Sequence, residues 1–354
     1  MKTFQVGIVG CGHISQTHLK AWRRTAGCRV QGVFDVNRAL AEQRAGQFQI
    51  RTVYDDLEQL IASCDVVDVC TPPQTHAEIA RRVIEAGRDL LIEKPLVMDV
   101  GEWDRLRQLM ARSPSRVTVV HNLKYTHAVQ QAKRWIEQGR IGQVISIARQ
   151  FLTSPQTDRM LVGQGHWSHG LPGGRWFETL PHELYVIHTL VGPLQPIQVT
   201  ALHTAQAPAG APADHVVVTL ASERCVGSIH YSAHCQLNRR MTVIHGTDGV
   251  LELDTLSDAI VLLTSHDRQW KRAVGMPFLE AGRALGRMIP DRIGYLARRV
   301  SGQSPHTALI CAVDRYLHGQ GPAPTPLDEI DYVVRNCEQI GREIDRQLTS
   351  AALA

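Results

Sequence analysis

Short apolar runs alternate with helical patterns through the first 120 residues. Residues 4–9 form a β-rich apolar run, and the turn Gly10-Cys11-Gly12 leads into apolar positions at helical spacing. A second run ends at Asp35, a helical pattern covers about residues 38–48, and residues 66–70 form a third run. This alternation predicts a βαβαβ arrangement, and hence a parallel sheet with right-handed crossovers.

The pattern changes after residue 143. Strand-like runs, several of them alternating, follow with few helices between them, at 144–151, 197–202, 215–220, 226–231, 241–245 and 250–253. Such runs are typical of a largely antiparallel sheet with one face exposed or covered by a partner. We therefore predict two domains: an α/β domain over 1–122 and an α+β domain over 123–354. Whether the C-terminal helix packs back on the first domain stays open. The stretch 206–212 is predicted to be a surface loop.

Length and composition exclude several classes of protein. A chain of 354 residues is too long for one ordinary core, and 44% hydrophobic with 20% charged residues is typical of a globular protein. A net charge of +4 is too small to imply nucleic acid. The N-terminus is predicted to be a strand rather than a signal peptide, and no apolar run is long enough for a transmembrane helix. Eight cysteines without a Cys-x-x-Cys pair indicate reduced thiols, so we expect a cytoplasmic protein.

The glycine turn after the first strand carries the clearest chemistry. Gly10 permits the tight turn, and Gly12 lets the backbone approach a pyrophosphate at the N-terminus of the following helix. Ser15 stands where a third glycine is usual, and it is small enough for close packing. His13 and Ile14 are assigned to the same cofactor-binding loop, without a catalytic role for His13. These features predict a Rossmann-type nucleotide-binding domain.

The choice of nucleotide depends on the end of the second strand. Asp35 lies 25 positions after Gly10, where a carboxylate can accept both ribose hydroxyls of NAD(H) and would repel a 2′-phosphate. We therefore expect NAD(H). Arg38 is close enough in sequence to keep NADP(H) as the less favoured alternative.

Two further loops follow buried strands, at the edge where open α/β sheets bind ligands. Thr71, Pro72 and His76 either border the nicotinamide ribose or simply start a helix, and both interpretations stay open. The segment Glu93-Lys94-Pro95 places Lys94 in the cleft with a restricted orientation. A lysine partly desolvated beside a cationic nicotinamide suits proton transfer, whereas an exposed ion pair is the simpler alternative.

Together these residues resemble the glucose-fructose oxidoreductase, inositol dehydrogenase and rhizopine catabolism (Gfo/Idh/MocA) family. The resemblance covers nearly the whole chain except about residues 268–305. The segment 173–185 is similar to the family's box of two glycines, an acid and a histidine, with Glu178, Leu180 and Tyr185 as departures. The resemblance implies a catalytic set of Lys94, Glu178 and His182. The expected substrate contacts are Tyr125, Trp176 and His182, together with His166 and Trp167, whose aromatic and imidazole groups suit sugar rings. Ordinary loop packing stays open as the alternative for His166 and Trp167.

The family resemblance also implies an activity. We expect an NAD-dependent oxidoreductase that transfers hydride between the nicotinamide and a hydroxyl-bearing carbon of a sugar, cyclitol or sugar nucleotide. A homo-oligomer, either dimer or tetramer, is implied through the open face of the sheet. Two alternatives remain: an altered member that senses a sugar or dinucleotide, and a hydrolase or epimerase that oxidises its substrate only transiently.

Histidines and basic residues suggest two other features. Among the 17 histidines, the pairs His166/His169 and His182/His188 lack the i, i+4 spacing and the recurring acid of zinc helices. His230 and His234, on one strand face, have no acid nearby in sequence, so no metal site is predicted. Residues 270–300 carry seven basic and two acidic residues with apolar residues at helical spacing. This amphipathic pattern predicts either a helix docked on the core, or attraction to a diphosphate substrate or an anionic membrane surface.

Overall fold

The structure is a computed structural model that describes residues 2–161, 166–204, 213–264 and 304–352. The chain forms two compact units. Unit 1 comprises Met1–Asn122 with Ser304–Arg335, and unit 2 comprises Leu123–Gln303 with Asn336–Ala354. The predicted basic helix at 270–300 and the predicted loop at 206–212 lie outside the described residues.

Unit 1 contains a six-stranded sheet in which every paired strand is parallel, as predicted. The strand order is β3-β2-β1-β4-β5-β6. The strands are β1 (Phe4–Val9), β2 (Cys28–Phe34), β3 (Thr52–Val53), β4 (Val66–Val69), β5 (Asp89–Ile92) and β6 (Val117–Val119). The helices between them are α1 (His13–Trp22), α2 (Arg38–Phe48), α3 (Leu57–Ser63), α4 (His76–Glu85) and α5 (Val100–Met110). The sequence pattern gave no sign of the short elements β3 and α3.

The central strands of unit 1 are buried on both faces. All four residues of β4 are buried, and so are five of the six residues of β1. Runs of this kind are expected where helices cover a parallel sheet on both sides. Side-chain caps fix where three helices begin: Asn37, Asp56 and Asp99 each accept a hydrogen bond from a backbone N–H in the first turn of the helix that follows.

Unit 2 contains a seven-stranded sheet that is mostly antiparallel, as predicted. The order is β13-β12-β11-β7-β10-β9-β8, and only β7 and β10 pair in parallel. The strands are β7 (Val144–Leu152), β8 (Gln195–Leu202), β9 (His215–Ala221), β10 (Val226–Ser232), β11 (Arg239–Gly246), β12 (Gly249–Asp254) and β13 (Ala259–Thr264). The last strand, β13, was not among the predicted runs.

Four helices complete the described elements. Two belong to unit 2, α6 (His127–Glu137) and α7 (Arg175–Val191). After the sheet, α8 (Pro305–Leu317) belongs to unit 1, and α9 (Leu327–Ala352) begins in unit 1 and ends in unit 2. No helix within the described ranges combines the length and apolar character needed to cross a membrane.

The sheet of unit 2 has one covered and one open face. In β9, Val216 and Val218 are fully buried whereas Val217 between them is 40% exposed. On the covered face, Trp176 of α7 stacks on Tyr231 with ring centroids 4.3 Å apart. Large apolar side chains such as Ile145, at 51%, and Val226, at 54%, are exposed. A covered face and an open face explain the alternation seen in the sequence.

Candidate functional site

The turn after β1 has a backbone that only glycine adopts comfortably. Gly10 has a φ of +90°, and a Cβ there would lie 2.9 Å from the carbonyl of Cys70. At Gly12, which precedes α1, a Cβ would meet nothing within 4 Å. Ser15 is buried and its hydroxyl donates to the carbonyl of Gly12 at 2.7 Å. The turn and the N-terminus of α1 therefore fit a pyrophosphate.

Asp35 is fixed at the carboxyl end of β2 by two backbone donors. Its carboxylate accepts from the N–H of Cys11 at 2.7 Å and from the N–H of Asn37 at 2.8 Å. The carboxylate thus lies beside the glycine turn, where ribose hydroxyls are recognised in this kind of fold. Arg38, the residue that kept NADP(H) open, forms ion pairs with Glu42 and Asp55. Its charge is already balanced, which weakens the case for a 2′-phosphate.

A buried arginine, Arg44, holds the backbone of the glycine turn and was missed by sequence reasoning. Arg44 of α2 is 6% exposed and donates to the carbonyl of Cys11 at 3.0 and 3.2 Å, and to that of Gly12 at 3.1 Å. Burial, with Asp35 adding to it, raises the pKa of the Cys11 thiol to about 12, so this cysteine is not a nucleophile. Arg44 therefore holds the turn in place.

His76 connects two loops at the same edge of the sheet. Its ring nitrogens each lie 2.8 Å from a backbone carbonyl, one of Thr71 and one of Pro95, and the side chain is fully buried. Burial lowers the pKa of His76, although both carbonyls oppose that change. Thr71 is partly exposed and Pro72 is exposed. The structure therefore gives His76 a positioning role, whereas Thr71 and Pro72 are accessible to a ligand.

Glu93 belongs to a buried chain of ionisable groups that joins β4, α1 and the end of β5. The imidazole of His18 lies 2.9 Å from Asp68 and 3.0 Å from Glu93, and Trp22 donates to Asp68 at 2.7 Å. Burial opposes charge on His18, but Asp68 and the other acidic neighbours raise its pKa well above the usual range. Burial likewise opposes ionisation of Glu93, yet hydrogen bonds from His18 and His306 hold its pKa well below the usual range. These directions favour an imidazolium on His18 beside an ionised Glu93.

This chain ends next to Lys94. The carboxylate of Glu93 accepts from the N–H of Lys94 at 3.1 Å and is only 7% exposed, so it supports the loop from inside instead of facing a cofactor. Lys94 itself is partly exposed, between buried Glu93 and buried Pro95. Because β2, β1, β4 and β5 are parallel neighbours, Asp35, Gly10, Thr71 and Lys94 all follow strands at the same edge of the sheet.

In unit 2 the box of the predicted catalytic residues lies on α7. This helix runs from Arg175 to Val191 with Pro181 inside it. Most side chains of α7 are buried against the rest of unit 2, which offsets the backbone hydrogen bond that proline removes. Glu178 and His182 therefore lie one turn apart on one helix.

His182 and Glu178 have different partners. Nδ1 of His182 lies 2.6 Å from the hydroxyl of Tyr185, and the hydroxyl oxygen accepts from the N–H of Leu123 at 3.0 Å. The Tyr185 O–H can therefore donate to Nδ1, an arrangement in which a neutral ring keeps its proton on Nε2. Glu178 accepts from buried Arg175 at 2.8 Å, and Arg175 also donates to Asp158 at 2.8 Å. From the sequence, Tyr185 was recognised only as a departure from the family box, and its contact with His182 was not foreseen.

The predicted substrate contacts divide into buried and accessible residues. Trp176 is 1% exposed and packs on Tyr231, so it is part of the core and not a surface for substrate. His166 and Trp167 are partly exposed, with ring centroids 5.2 Å apart. Tyr125 is partly exposed at the end of a short 3₁₀ helix, Asn122–Tyr125. In unit 1, His13 is exposed and Ile14 partly exposed in the first turn of α1.

Two family models match the chain. The first, described as "Oxidoreductase family, NAD-binding Rossmann fold", matches residues 4–121, and the second, "GFO/IDH/MocA C-terminal domain", matches residues 129–252. Together the two matches span both sheets except for the end of β12 and all of β13.

Individual relatives are similar to this chain at low sequence identity. An inositol 2-dehydrogenase of Rhizobium meliloti is 28% identical over 203 residues, 56% of this chain and 58% of that protein. A levoglucosan dehydrogenase of Pseudarthrobacter phenanthrenivorans is 28% identical over 285 residues, 70% of this chain and 73% of that protein. Among solved structures, the WlbA dehydrogenase from Bordetella pertussis in complex with NADH and UDP-GlcNAcA has a TM-score of 0.76 at 19% identity, over 97% of this chain and 96% of that one. This last likeness shows the shared fold.

Proposed function

Because the chain belongs to the Gfo/Idh/MocA family of oxidoreductases, we propose that it is an NAD-dependent dehydrogenase. Its substrate is proposed to be a sugar, cyclitol or sugar nucleotide, from which hydride is exchanged at a hydroxyl-bearing carbon. One observation carries the proposal: the same edge of the parallel sheet holds the glycine turn, the fixed carboxylate of Asp35 and the partly exposed amine of Lys94.

The residues of unit 1 fit NAD(H) in three respects. The turn at Gly10 has no room for a side chain, and Gly12 leaves open space in front of α1. The carboxylate of Asp35 is held by two N–H groups and keeps lone pairs for ribose hydroxyls. Arg38 is committed to Glu42 and Asp55. The site therefore favours the cofactor without a 2′-phosphate.

The proposed chemistry needs a group that moves the hydroxyl proton. When bound, NAD(H) accepts or gives the hydride. We assign proton transfer to Lys94, whose backbone is held by Glu93 and whose neighbour Pro95 is tied to His76. In unit 2, His182 is assigned to the substrate hydroxyl through Nε2, because Tyr185 occupies Nδ1. Glu178 is assigned to the catalytic set as the acid one turn before His182 on the same helix. Its carboxylate also accepts a hydrogen bond from Arg175 and balances that charge.

The substrate class rests on the relatives and on accessible polar groups. The relatives are named for inositol and levoglucosan, which are polyhydroxylated rings. His166, Trp167 and Tyr125 offer partly exposed aromatic and imidazole groups that suit such rings. Because the relatives are dehydrogenases, the sensor and the redox-cycling hydrolase or epimerase are less favoured.

The test is turnover with free cofactor. The purified protein is mixed with NAD⁺ and a panel of cyclitols, anhydrosugars and UDP-sugars, and NADH is followed by absorbance while products are analysed by mass spectrometry. We expect NADH to accumulate with at least one compound, in equal amount to a product two mass units lighter. Saturable sugar binding without any NADH would favour the sensor, and product formation without net NADH would favour redox cycling.

Oligomerisation is proposed on separate grounds. The open face of the unit 2 sheet exposes Val217 and Val226, which supports the homo-oligomer implied by the family. Light scattering coupled to size exclusion should give a dimer or tetramer mass. A monomer at micromolar concentration would contradict this proposal and leave the proposed activity untouched.

A further inference from the structure

We propose that Asp214, His215 and His234 in unit 2 form a binding site for a divalent transition metal ion such as Zn²⁺. One ligand atom from each residue lies within 4.8 Å of the other two. A carboxylate oxygen and two imidazole nitrogens are a donor set that zinc uses in proteins. The proposal is independent of the proposed dehydrogenase activity.

Sheet pairing builds this cluster from residues that are distant in sequence. β9 starts at His215 and β10 ends at Ser232, and these two residues are directly opposite each other in the antiparallel pair. Just beyond the pair, the N–H of Ala233 donates to the carbonyl of Asp214 at 2.9 Å. His234 is thereby brought next to Asp214, although the two are 20 residues apart. This is the acid that the sequence around His234 lacks.

Asp214 is held in a fixed orientation. It is fully buried, and it accepts hydrogen bonds from both the backbone N–H and the hydroxyl of Thr204. Hydrogen bonds that orient a ligating carboxylate in this way are a common feature of metal sites.

The two histidines supply nitrogen donors that solvent can reach. Nε2 of His234 lies 2.6 Å from the Asp214 carboxylate, and its side chain is 23% exposed. His215 is partly exposed, with its ring centroid 5.5 Å from that of His234. Metal–ligand bonds of about 2.1 Å place tetrahedral ligand atoms about 3.4 Å apart. Small side-chain rotations suffice, and the ion would take the place of the hydrogen bond between Nε2 of His234 and the Asp214 carboxylate.

Two other groupings in the described residues meet the same distance criterion but suit an ion less well. They combine His18 with Asp68 and Cys70, or with Glu93 and His306. His18 is fully buried and both of its ring nitrogens already contact carboxylates. Burial raises the pKa of the Cys70 thiol to about 12, which disfavours the thiolate that a metal requires. In the cluster of unit 2, by contrast, both histidines are partly exposed and can be reached by an ion.

The experiment uses the full-length, tag-free protein after treatment with a chelator. Zn²⁺ alone is titrated by calorimetry, and Co²⁺ is titrated by visible absorption. We expect one bound equivalent of Zn²⁺, d–d bands for Co²⁺, and a thermal midpoint that rises with Zn²⁺ but not with Mg²⁺.

Variants locate the ion. His215→Gln and His234→Gln should each weaken Zn²⁺ binding by at least about tenfold, and Thr204→Val should weaken it by about tenfold through Asp214. His245→Gln is the matched control, because His245 is a β11 histidine that contacts Ser146. This variant should bind Zn²⁺ as tightly as the parent does. Circular dichroism and the Zn²⁺-free thermal midpoint check that each variant is folded.

Two results would overturn the proposal. One is a parent protein that shows neither stoichiometric Zn²⁺ binding nor Co²⁺ bands at near-millimolar metal. The other is a pair of folded histidine variants that bind Zn²⁺ as tightly as the parent, which would place the ion elsewhere on the chain.

Discussion

The two units position their proposed catalytic side chains by opposite means. In unit 1, Lys94 follows a carboxylate that is locked into a buried ionic chain with His18 and Asp68. In unit 2, His182 contacts the neutral phenol of Tyr185. Buried charges fix a loop firmly, but removing one member leaves the others unpaired in a dry environment. A neutral hydrogen bond is weaker and costs little to lose.

This difference predicts how mutation and pH should affect each unit. The buried chain of unit 1 couples loop geometry to protonation, because contact with Asp68 raises the pKa of His18 and contact with His18 lowers the pKa of Glu93. The Tyr185 contact depends on a single hydroxyl group between His182 and the N–H of Leu123. Changes in unit 1 should therefore affect folding and pH dependence, and changes around His182 should affect mainly turnover.

The largest expected effect is on turnover, at Lys94. Lys94→Ala should lower kcat by roughly 10² to 10⁴, the usual contribution of a general acid or base, and leave NAD(H) affinity nearly unchanged. Lys94→Arg should be similarly slow, because arginine keeps the charge but does not release a proton near neutral pH. Initial rates and cofactor fluorescence titrations measure both. Lys20→Ala, an exposed lysine on α1, is the control; parent-like turnover in Lys94→Ala would assign the proton transfer elsewhere.

The second prediction tests the buried chain through stability. His18→Gln removes the cation between Asp68 and Glu93 and should lower the free energy of unfolding by about 3 to 5 kcal/mol, as breaking buried pairs does. Denaturant unfolding measures this, with His13→Gln as the control, since His13 is an exposed residue on the same helix. A loss below about 1 kcal/mol would show that the chain is not ionic.

The pH dependence of that loss follows from the signs of the shifts. His18 has a raised pKa in the folded state, so its contribution is complete below its ordinary value of 6.5 and disappears as the pH rises toward the folded value. Glu93 has a lowered pKa, so its contribution is complete above its ordinary value of 4.5 and disappears as the pH falls. The difference between parent and His18→Gln should therefore be largest at about pH 5 to 6 and shrink in alkali. A difference that grows above pH 7 would contradict the imidazolium.

Local motifs could be predicted from the sequence, whereas contacts between distant residues could not. The glycine turn, Asp35 and Lys94 are recognisable because each lies within a few residues of its own strand, where spacing fixes geometry. Contacts between distant residues leave no such signal: His18 meets Asp68 and Glu93 across 50 and 75 residues. Arg44 gave no signal either, because a single arginine in a helix usually faces solvent.

The box on α7 shows a different limit. The local rule that proline disfavours a preceding helical turn was outweighed by the burial of the helix against the rest of unit 2. Likewise, Asp214 and His234 are neighbours only because β9 and β10 pair. Periodicity identified those two strands, but the register that joins their ends depends on the folded sheet.

The third prediction concerns the cofactor in unit 1. Asp35→Asn keeps the shape of the side chain but removes its charge, so NAD(H) should bind roughly 10- to 100-fold more weakly, the scale of a hydrogen bond to a charged group. Discrimination against NADP(H) should decrease because the repulsion of a 2′-phosphate is lost. Fluorescence titration of both nucleotides measures this. Equal affinities of the parent for both nucleotides would remove Asp35 from the selection of cofactor.

The smallest effect should come from the neutral contact in unit 2. Tyr185→Phe removes one hydroxyl, and because a neutral hydrogen bond contributes about 0.5 to 1.5 kcal/mol, kcat should fall by only about 2- to 12-fold. NAD(H) affinity should not change, since Tyr185 lies in unit 2 and the nucleotide residues lie in unit 1.

A purely structural role for Tyr185 would lower stability without changing the histidine, so the decisive measurement is the tautomer of His182 by ¹⁵N NMR. In the parent, Nδ1 contacts the hydroxyl and the proton should lie on Nε2; in Tyr185→Phe the Nδ1–H form should become populated. Glu178→Gln, whose carboxylate is bound by Arg175, provides the matched comparison and should leave the tautomer unchanged. If Glu178→Gln changes the tautomer and Tyr185→Phe does not, an acid orients His182 after all, and the two units hold their proposed catalytic groups in the same way.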